Sequence, residues 1–365
     1  MIKTKEEIMK KLLGMMLCAA MCVGCLAGCG QTDGGASSLQ QNGSSSVSAS
    51  GDGAVDPALE KEYYFTMGST MTSTALITPL IADACERINE KTDGHVTIEF
   101  FPDSTLGNDT EMYSQMQNGE LDFLNTGIMA KVAINDYAFL TGYWWMQDMD
   151  HFWAVWNSEI GQRYQQVMEN DYNTHQICAT LLGQHNLIST KPIKTLTDFN
   201  GLQLRISSNP AAVDLWKAIG VNVNIMPWGE VIPSLQTGVI DTVGHTYQQF
   251  ADTGLQELAG YLTETNHEAD ITCIYACNDT WNSLPDAYRQ AIQEEFEACF
   301  AEFDNKRDAS MEASKQAMID AGLEFTELDP AVRAEIVEIM EPVLKEIFET
   351  TWTGATYDEV MSYAK

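Results

Sequence analysis

Positive charge is scarce in this sequence: 20 lysines and arginines stand against 52 aspartates and glutamates, a formal net charge of −32 over 365 residues. A chain this acidic lacks the basic footprint that nucleic-acid phosphates require, and the polybasic patch that an anionic membrane surface attracts. Paired cysteine motifs are missing too. Cys273 and Cys277 have neither the CxxC nor the histidine spacing of a zinc site. The six histidines, at 95, 151, 175, 185, 245 and 267, show no metal-ligand spacing and read as surface or satisfied side chains. There is no Gly-x-Ser-x-Gly elbow, no phosphate loop, no HExxH, and no GxGxxG after a strand. Acid pairs such as Glu294-Glu295 read as solvated helix faces in so acidic a chain. With no catalytic constellation, the reading is a binding protein and not an enzyme, with no cofactor and no metal.

What is present begins with a leader. Lys10 and Lys11 precede an apolar run from Leu12 to Gly28 that ends Leu26-Ala27-Gly28-Cys29. Seventeen residues are short for a membrane span. Small residues before a cysteine form a bacterial lipobox, so residues 1–28 are expected to be a lipoprotein signal peptide and Cys29 the lipidated residue. Met9 is the more usual start for such a leader, which makes residues 1–8 an upstream extension. Two acyl chains hold a protein on a membrane where one does not. The expected location is extracytoplasmic, lipid-anchored to the outer face of the bacterial cell membrane. Residues 29–59, rich in Ser, Gly, Gln, Ala and Asp, bury too little to order themselves and read as a flexible tether spanning roughly 30 Å. Five cysteines remain beyond the leader (Cys85, Cys178, Cys273, Cys277 and Cys299), an odd number for which buried free thiols are the default.

The chain as a whole is 45% hydrophobic, enough for one large or two ordinary domains. Tyr63–Met67 reads as a strand, and Ile77, Ile81, Ala84 and Ile88 as one helical face. Val96, Ile98 and Phe100 alternate as a strand. Asn108 to Glu111 resembles a capping box for a helix carrying Met112 and Met116, and Leu121–Leu124 is the next strand. The β-α-β-α-β order implies a mostly parallel sheet. It returns from Leu202: strand 202–206, a helix closed by Gly220, strand Val221 to Ile225, a helix from Trp228 to Gly238, and strand Val239–Thr242. Two such units imply two α/β lobes with a cleft between them. An aromatic-dense stretch from Phe139 to Trp156 reads mostly as core, with a subset at the cleft mouth open to either reading. Asp286–Leu323 and Pro330–Thr351 read as acidic helices that brace or pack on the lobes.

In the second unit Arg205 stands near the end of an apolar strand, ahead of Ser207-Ser208-Asn209-Pro210 and a helix. Ligands of open α/β sheets sit beyond the carboxyl ends of strands, and a guanidinium there can clamp a carboxylate with two parallel hydrogen bonds. The other reading is an edge-strand arginine pointing into water.

Three ordered stretches carry a family resemblance: Lys91-Thr-Asp-Gly-His-Val with Phe101-Pro-Asp-Ser-Thr-Leu-Gly-Asn-Asp-Thr-Glu and Gly119-Glu-Leu-Asp; Lys191-Pro-Ile-Lys-Thr-Leu-Thr-Asp-Phe-Asn-Gly-Leu-Gln-Leu-Arg-Ile; and Met226-Pro-Trp-Gly-Glu-Val through Leu235-Gln-Thr-Gly-Val-Ile-Asp. With a looser match at Trp281–Ala291, they cover roughly residues 62–300. They are similar to the solute receptors of tripartite ATP-independent periplasmic (TRAP) transporters, dicarboxylate-receptor-like, in lipoprotein form. The resemblance implies a two-lobed periplasmic-binding-protein-like α/β fold with a ligand cleft and a long bracing helix. It places lobe I at 60–184 and 273–312 and lobe II at 185–272 and 313–365. It implies a monomer that delivers a small organic acid to a membrane permease. On it, Arg205 pairs with the ligand carboxylate and Trp228 packs on the ligand. Thr126, Asn125 and Ser69 line the cleft, and His245 replaces a polar asparagine. A second family arginine is replaced near Gln184 and His185, which weights the ligand toward a monocarboxylate, a hydroxy or keto acid, or an aromatic acid. Two other outputs suit such a chain: presentation of the closed form to a sensor kinase, and a surface-anchored hydrolase.

Overall fold

The computed structural model describes residues 57–365 apart from Ser208. The signal peptide, Cys29 and nearly all of the tether lie outside the described residues. Eleven strands carry the architecture among them: β1 (Tyr63–Ser69), β2 (Val96–Phe101), β3 (Phe123–Gly127), β4 (Thr174–Gln184), β5 (Asn186–Ser189), β6 (Gln203–Ile206), β7 (Asn222–Ile225), β8 (Thr242–His245), β9 (Tyr261–Glu264), β10 (Ala269–Cys277) and β11 (Glu324–Glu327). They form two sheets, ordered β2-β1-β3-β10-β4 and β11-β9-β5-β8-β6-β7.

The helix Ile77–Lys91 buries Ile77, Ile81, Ala84 and Ile88, the face expected from their spacing. Asn108 caps Asp109–Gln117 through a complete box: its side chain accepts from the Glu111 amide at 3.0 Å, and Glu111 accepts from the Asn108 amide at 2.9 Å. Gly238 ends the helix Val231–Thr237 with φ of 74°, the left-handed conformation that a glycine adopts without strain.

Both sheets are mostly parallel, as expected, but each carries one antiparallel strand: β10 in the first and β5 in the second. β1 runs parallel to β2 and β3, but β10 lies antiparallel between β3 and β4. In the second sheet β6 is parallel to β7 and β8, while β5 is antiparallel to β8 and β9. The returning strands that cause this lie outside the two expected units. Two expected strands also start too early. After Gly119 and Gly238, the apolar residues Leu121 and Ile240 are buried before pairing begins. The strands themselves are β3 and β8, shifted onto more polar residues.

The chain passes from the first sheet to the second at His185, between β4 and β5, and returns through Thr265–Glu268, between β9 and β10. These crossings are hydrogen-bonded to one another: the His185 amide donates to Glu268 O at 2.8 Å and the His267 amide to His185 O at 3.1 Å. Because β10 pairs from Ala269 onward, the return to the first sheet comes before the division expected at 272/273, which falls inside that strand. The third crossing is the helix Asp286–Asp320. Its first half packs Tyr288, Ile292, Phe296 and Phe303 into the core of the first sheet, and Met318 enters the core of the second. The aromatic segment is core: Phe139, Tyr143, Trp144, Trp145, Phe152 and Trp156 are buried, Trp153 is half-buried, and of these seven Tyr143 lines the cavity between the sheets. The five cysteines are free, and four are buried. Among the described residues no helix is long and apolar enough to cross a membrane.

Candidate functional site

A cavity of about 900 Å³ lies between the sheets, walled by the carboxyl ends of β3, β6 and β8 and by the two crossing segments. Arg205, in β6 between β8 and the edge strand β7, is 5% exposed and lines it. Its Nε and Nη2 both donate to Met226 O, at 3.1 and 3.0 Å, and its guanidinium carbon sits 5.1 Å from the centre of the Trp228 ring. One edge of the fork is therefore fixed by the chain, leaving the Nη1 side to donate. No carboxylate pairs with Arg205 among the described residues. Burial, partly offset by Glu268, pushes its pKa down to about 10, so it stays charged at neutral pH.

The crossing segments bring together a charged cluster. Glu268, 4% exposed, accepts from Lys131 Nζ at 2.7 Å and lies 2.9 Å from His185 Nδ1. His185 Nε2 is 3.5 Å from Asp270 Oδ2. Burial disfavours the charge on His185, but Glu268 and Asp270 outweigh it and raise its pKa to about 9. Burial likewise opposes ionisation of Glu268, yet Lys131 and His185 hold its carboxyl well below the usual range. His245, whose ring centre is 4.8 Å from that of His185, behaves oppositely: burial, then the His185 charge, push it down to about 3. His245 Nδ1 accepts the Thr246 amide at 2.9 Å, so the neutral ring carries its proton on Nε2. His267 is also held neutral by burial and by His185.

Two sets of side chains, His185 with His245 and Asp270, and His185 with His267 and Glu268, are close enough to share one metal ion. The chemistry of the donors is unsuited to it. His185 is a cation held between two carboxylates, and the Nδ1 lone pair of His245 is engaged by the Thr246 amide. Lys131 and Arg205 add positive charge beside it.

Residues 67–351 match the model of the bacterial extracellular solute-binding proteins, family 7. The chain belongs to that family. It is similar to a solute-binding protein of Chromohalobacter salexigens, 29% identical over 265 residues that cover 72% of this chain and 79% of that one. Among solved structures it resembles a TRAP periplasmic solute-binding protein from the same organism with bound D-glucuronate, at 25% identity and a TM-score of 0.73 over 82% of this chain and 97% of the other. A TRAP receptor from Desulfovibrio salexigens with bound orotic acid shares the fold, with a TM-score of 0.72 at 23% identity over 83% and 97% of the two chains. The fold is the two-lobed α/β fold of these receptors, and the family is one of transport binding proteins, not enzymes.

In this receptor the expected site residues fall into two groups. Arg205, Trp228, His245, His185 and Thr126 line the cavity. Asn125 and Ser69 stand behind its wall. Ser69 Oγ donates to Asn125 Oδ1 at 2.8 Å, and Asn125 Nδ2 donates to Thr272 Oγ1 at 2.9 Å and Cys273 O at 3.1 Å. Successive strand residues face opposite ways, so Thr126 and Asn125 cannot share one face. Lys131, His267, Glu268 and Asp270 escaped the sequence reading. The available signal was two acids, Glu268 and Asp270, at the mouth of the apolar run Ile271 to Cys277.

The His185 charge makes a pH prediction. Its pKa is raised from an unfolded value near 6.5, so its stabilising contribution is complete below about pH 6.5 and is lost as pH rises through about 9. Urea denaturation from pH 6 to 9.5 is expected to show wild-type stability declining across that window relative to His185→Gln. Parallel profiles for the two proteins would remove the cationic assignment.

Proposed function

We propose that the protein is a lipid-anchored extracytoplasmic receptor that binds a small organic monoacid in the inter-sheet cavity and delivers it to a TRAP-type permease. The observation that carries this reading is Arg205, a buried guanidinium lining the cavity without a carboxylate partner among the described residues. An unpaired buried charge is unfavourable unless a ligand completes it. Trp228 packs over the guanidinium and offers its ring to the ligand, while the Nε2 proton of His245 and the Thr126 hydroxyl supply further polar contacts. Asn125 and Ser69 hold the wall that carries Thr126.

The charges favour a monoanion. Lys131 and His185 are committed to Glu268, and Asp270 lies beside His185, so Arg205, Lys131 and His185 exceed Glu268 and Asp270 by a single positive charge. The ligands bound in the two related structures, D-glucuronate and orotic acid, are compatible with this balance. Lobe I (60–184 and 273–312) and lobe II (185–272 and 313–365) would close on the ligand by bending at His185 and Thr265–Glu268, with the sheet pairing favouring a division nearer 268/269. Lipidation at Cys29 follows from the lipobox.

A thermal-shift screen of organic acids tests the reading. An acid present at 100 times its dissociation constant adds about 2.7 kcal/mol to stability and raises the melting temperature by several degrees. Failure of every mono- and dicarboxylate to shift it would defeat the proposal. Uptake of the identified acid by cells carrying the permease subunits, lost when Cys29→Ala releases the receptor, tests delivery and anchoring.

A further inference from the structure

We propose that Asp270 forms a second pole of the ligand site, an acceptor for a hydroxyl group, so that the receptor selects hydroxylated monocarboxylates over dicarboxylates, keto acids and unsubstituted acids. This rests on the receptor reading above and adds to it the groups the ligand carries beyond its carboxylate.

Asp270 and Glu268 are two residues apart and differ in one respect. Glu268 is saturated by short contacts to Lys131 and His185, at 2.7 and 2.9 Å. Asp270 has only long ones. His185 Nε2 is 3.5 Å away, outside hydrogen-bonding geometry, and that buried nitrogen has no hydrogen-bond partner. His245 Nδ1 is 3.8 Å away and carries no proton, because it accepts the Thr246 amide. The Asp270 side chain is 20% exposed and lines the cavity. An ionised carboxylate offers about four acceptor positions, and here no short donor fills them among the described residues. Solvent can serve them while the cavity is open, and a ligand that displaces this solvent has to supply the donor in its place.

The neighbouring groups identify that donor. His245 presents its Nε2 proton beside the cavity, so this wall offers one donor and one acceptor close together. A hydroxyl group both donates and accepts and satisfies the pair. An ammonium group only donates and leaves His245 unpaired; a keto oxygen only accepts and leaves Asp270 unpaired. A second carboxylate would set like charges against each other at Asp270. The one surplus positive charge of the cluster formed by Arg205, Lys131, His185, Glu268 and Asp270 then agrees with a ligand that carries a single carboxylate at Arg205 and neutral hydroxyls. The acids Asp109, Glu111 and Asp252, which also line the cavity, oppose a dianion further. A cavity of about 900 Å³ has room for a six-carbon polyhydroxy acid.

Isothermal titration calorimetry tests this on wild type with matched acids: D-gluconate, D-glucuronate and L-lactate as hydroxylated monoanions, hexanoate and pyruvate as acids without a hydroxyl, and D-glucarate as a dianion. At least one hydroxylated monoanion is expected to bind tenfold or more tighter than its counterparts. Asp270→Asn is expected to weaken that ligand by roughly 10- to 150-fold, the range for a hydrogen bond to a charged group, and to narrow the gap to D-glucarate. Equal or tighter binding of hexanoate, pyruvate or D-glucarate by wild type overturns the proposal without requiring any variant to fold. So does an Asp270→Asn protein, folded by circular dichroism, that binds the hydroxylated acid within twofold of wild type. If carboxylates bind and Arg205→Ala abolishes their binding, the receptor reading survives either result; if none binds, that reading falls and takes this one with it.

Discussion

Arg205→Ala is expected to weaken binding of the receptor's carboxylate ligand by about 2–5 kcal/mol, roughly 30- to 5,000-fold. The size follows from the desolvation of the pair. Arg205 is 5% exposed, and its charge has no ion-pair partner among the described residues, so the ligand anion meets a guanidinium that is already largely buried. Removing the guanidinium leaves the ligand carboxylate buried without the charged donor that faces it. Arg205→Lys should also bind poorly, because one ammonium cannot hold Met226 O and present a planar edge to the ligand at once. The ligand-free protein should behave differently. Taking away a buried charge that has no ion-pair partner is expected to change stability by no more than about 1 kcal/mol, since the lost hydrogen bonds to Met226 are offset by relief of desolvation. Calorimetry and urea denaturation on the same preparations separate the two effects. An alanine variant that keeps wild-type affinity within twofold would show that the carboxylate is held elsewhere.

Glu268→Gln is expected to reduce the stability of the ligand-free protein by about 3–5 kcal/mol, the range for breaking a buried ion pair by removing one partner. The side chains keep their volume; what changes is that Lys131 and His185 face a neutral amide in place of a carboxylate at 2.7 and 2.9 Å. Because the crossing segments meet at these residues, the loss should fall on the joint between the sheets. The deficit has a pH signature. Wild type itself loses the His185 contribution as pH rises through about 9, so the difference between wild type and Glu268→Gln should shrink toward pH 9.5. It should not vanish, since Lys131, whose pKa Glu268 and Asp270 raise against the opposing effect of burial, remains charged. Adding Lys131→Met to Glu268→Gln should recover part of the loss, and the double-mutant cycle gives the coupling. A Glu268→Gln protein within about 1 kcal/mol of wild type at pH 7 would mean that the cluster does not hold the joint.

The parts of the site that could be read from sequence were those carried by local pattern. Arg205 stood out because an apolar strand, a turn and a helix follow one another within a few residues, and strand ends of that kind collect ligands. Thr126 and Asn125 were found as a pair, but a strand shows only one of two neighbours to the cavity, and the offset of β3 from the expected Leu121–Leu124 decided which. His185 and His245 entered only through the family resemblance. No spacing rule joins them to His267, Glu268, Asp270 and Lys131; the six residues come from four separate segments of the chain. Two crossings of the chain between sheets bring them within hydrogen-bonding range, and their protonation states follow from that proximity.

The sequence by itself determined the α/β character, the helix faces and caps, the position of Arg205 and the acidic poverty in cations that makes a single buried arginine conspicuous. Periodicity of 2 and 3.6 and the capping rules act within a dozen residues, so one chain's order of residues is enough to specify them. Tertiary structure alone decided the antiparallel insertion of β10, the crossings at His185 and Thr265–Glu268, and the split of the cluster into a charged His185 and a neutral His245. Electrostatic effects of that kind depend on distance and burial, which are set by segments about 80 residues apart in sequence folding onto one another.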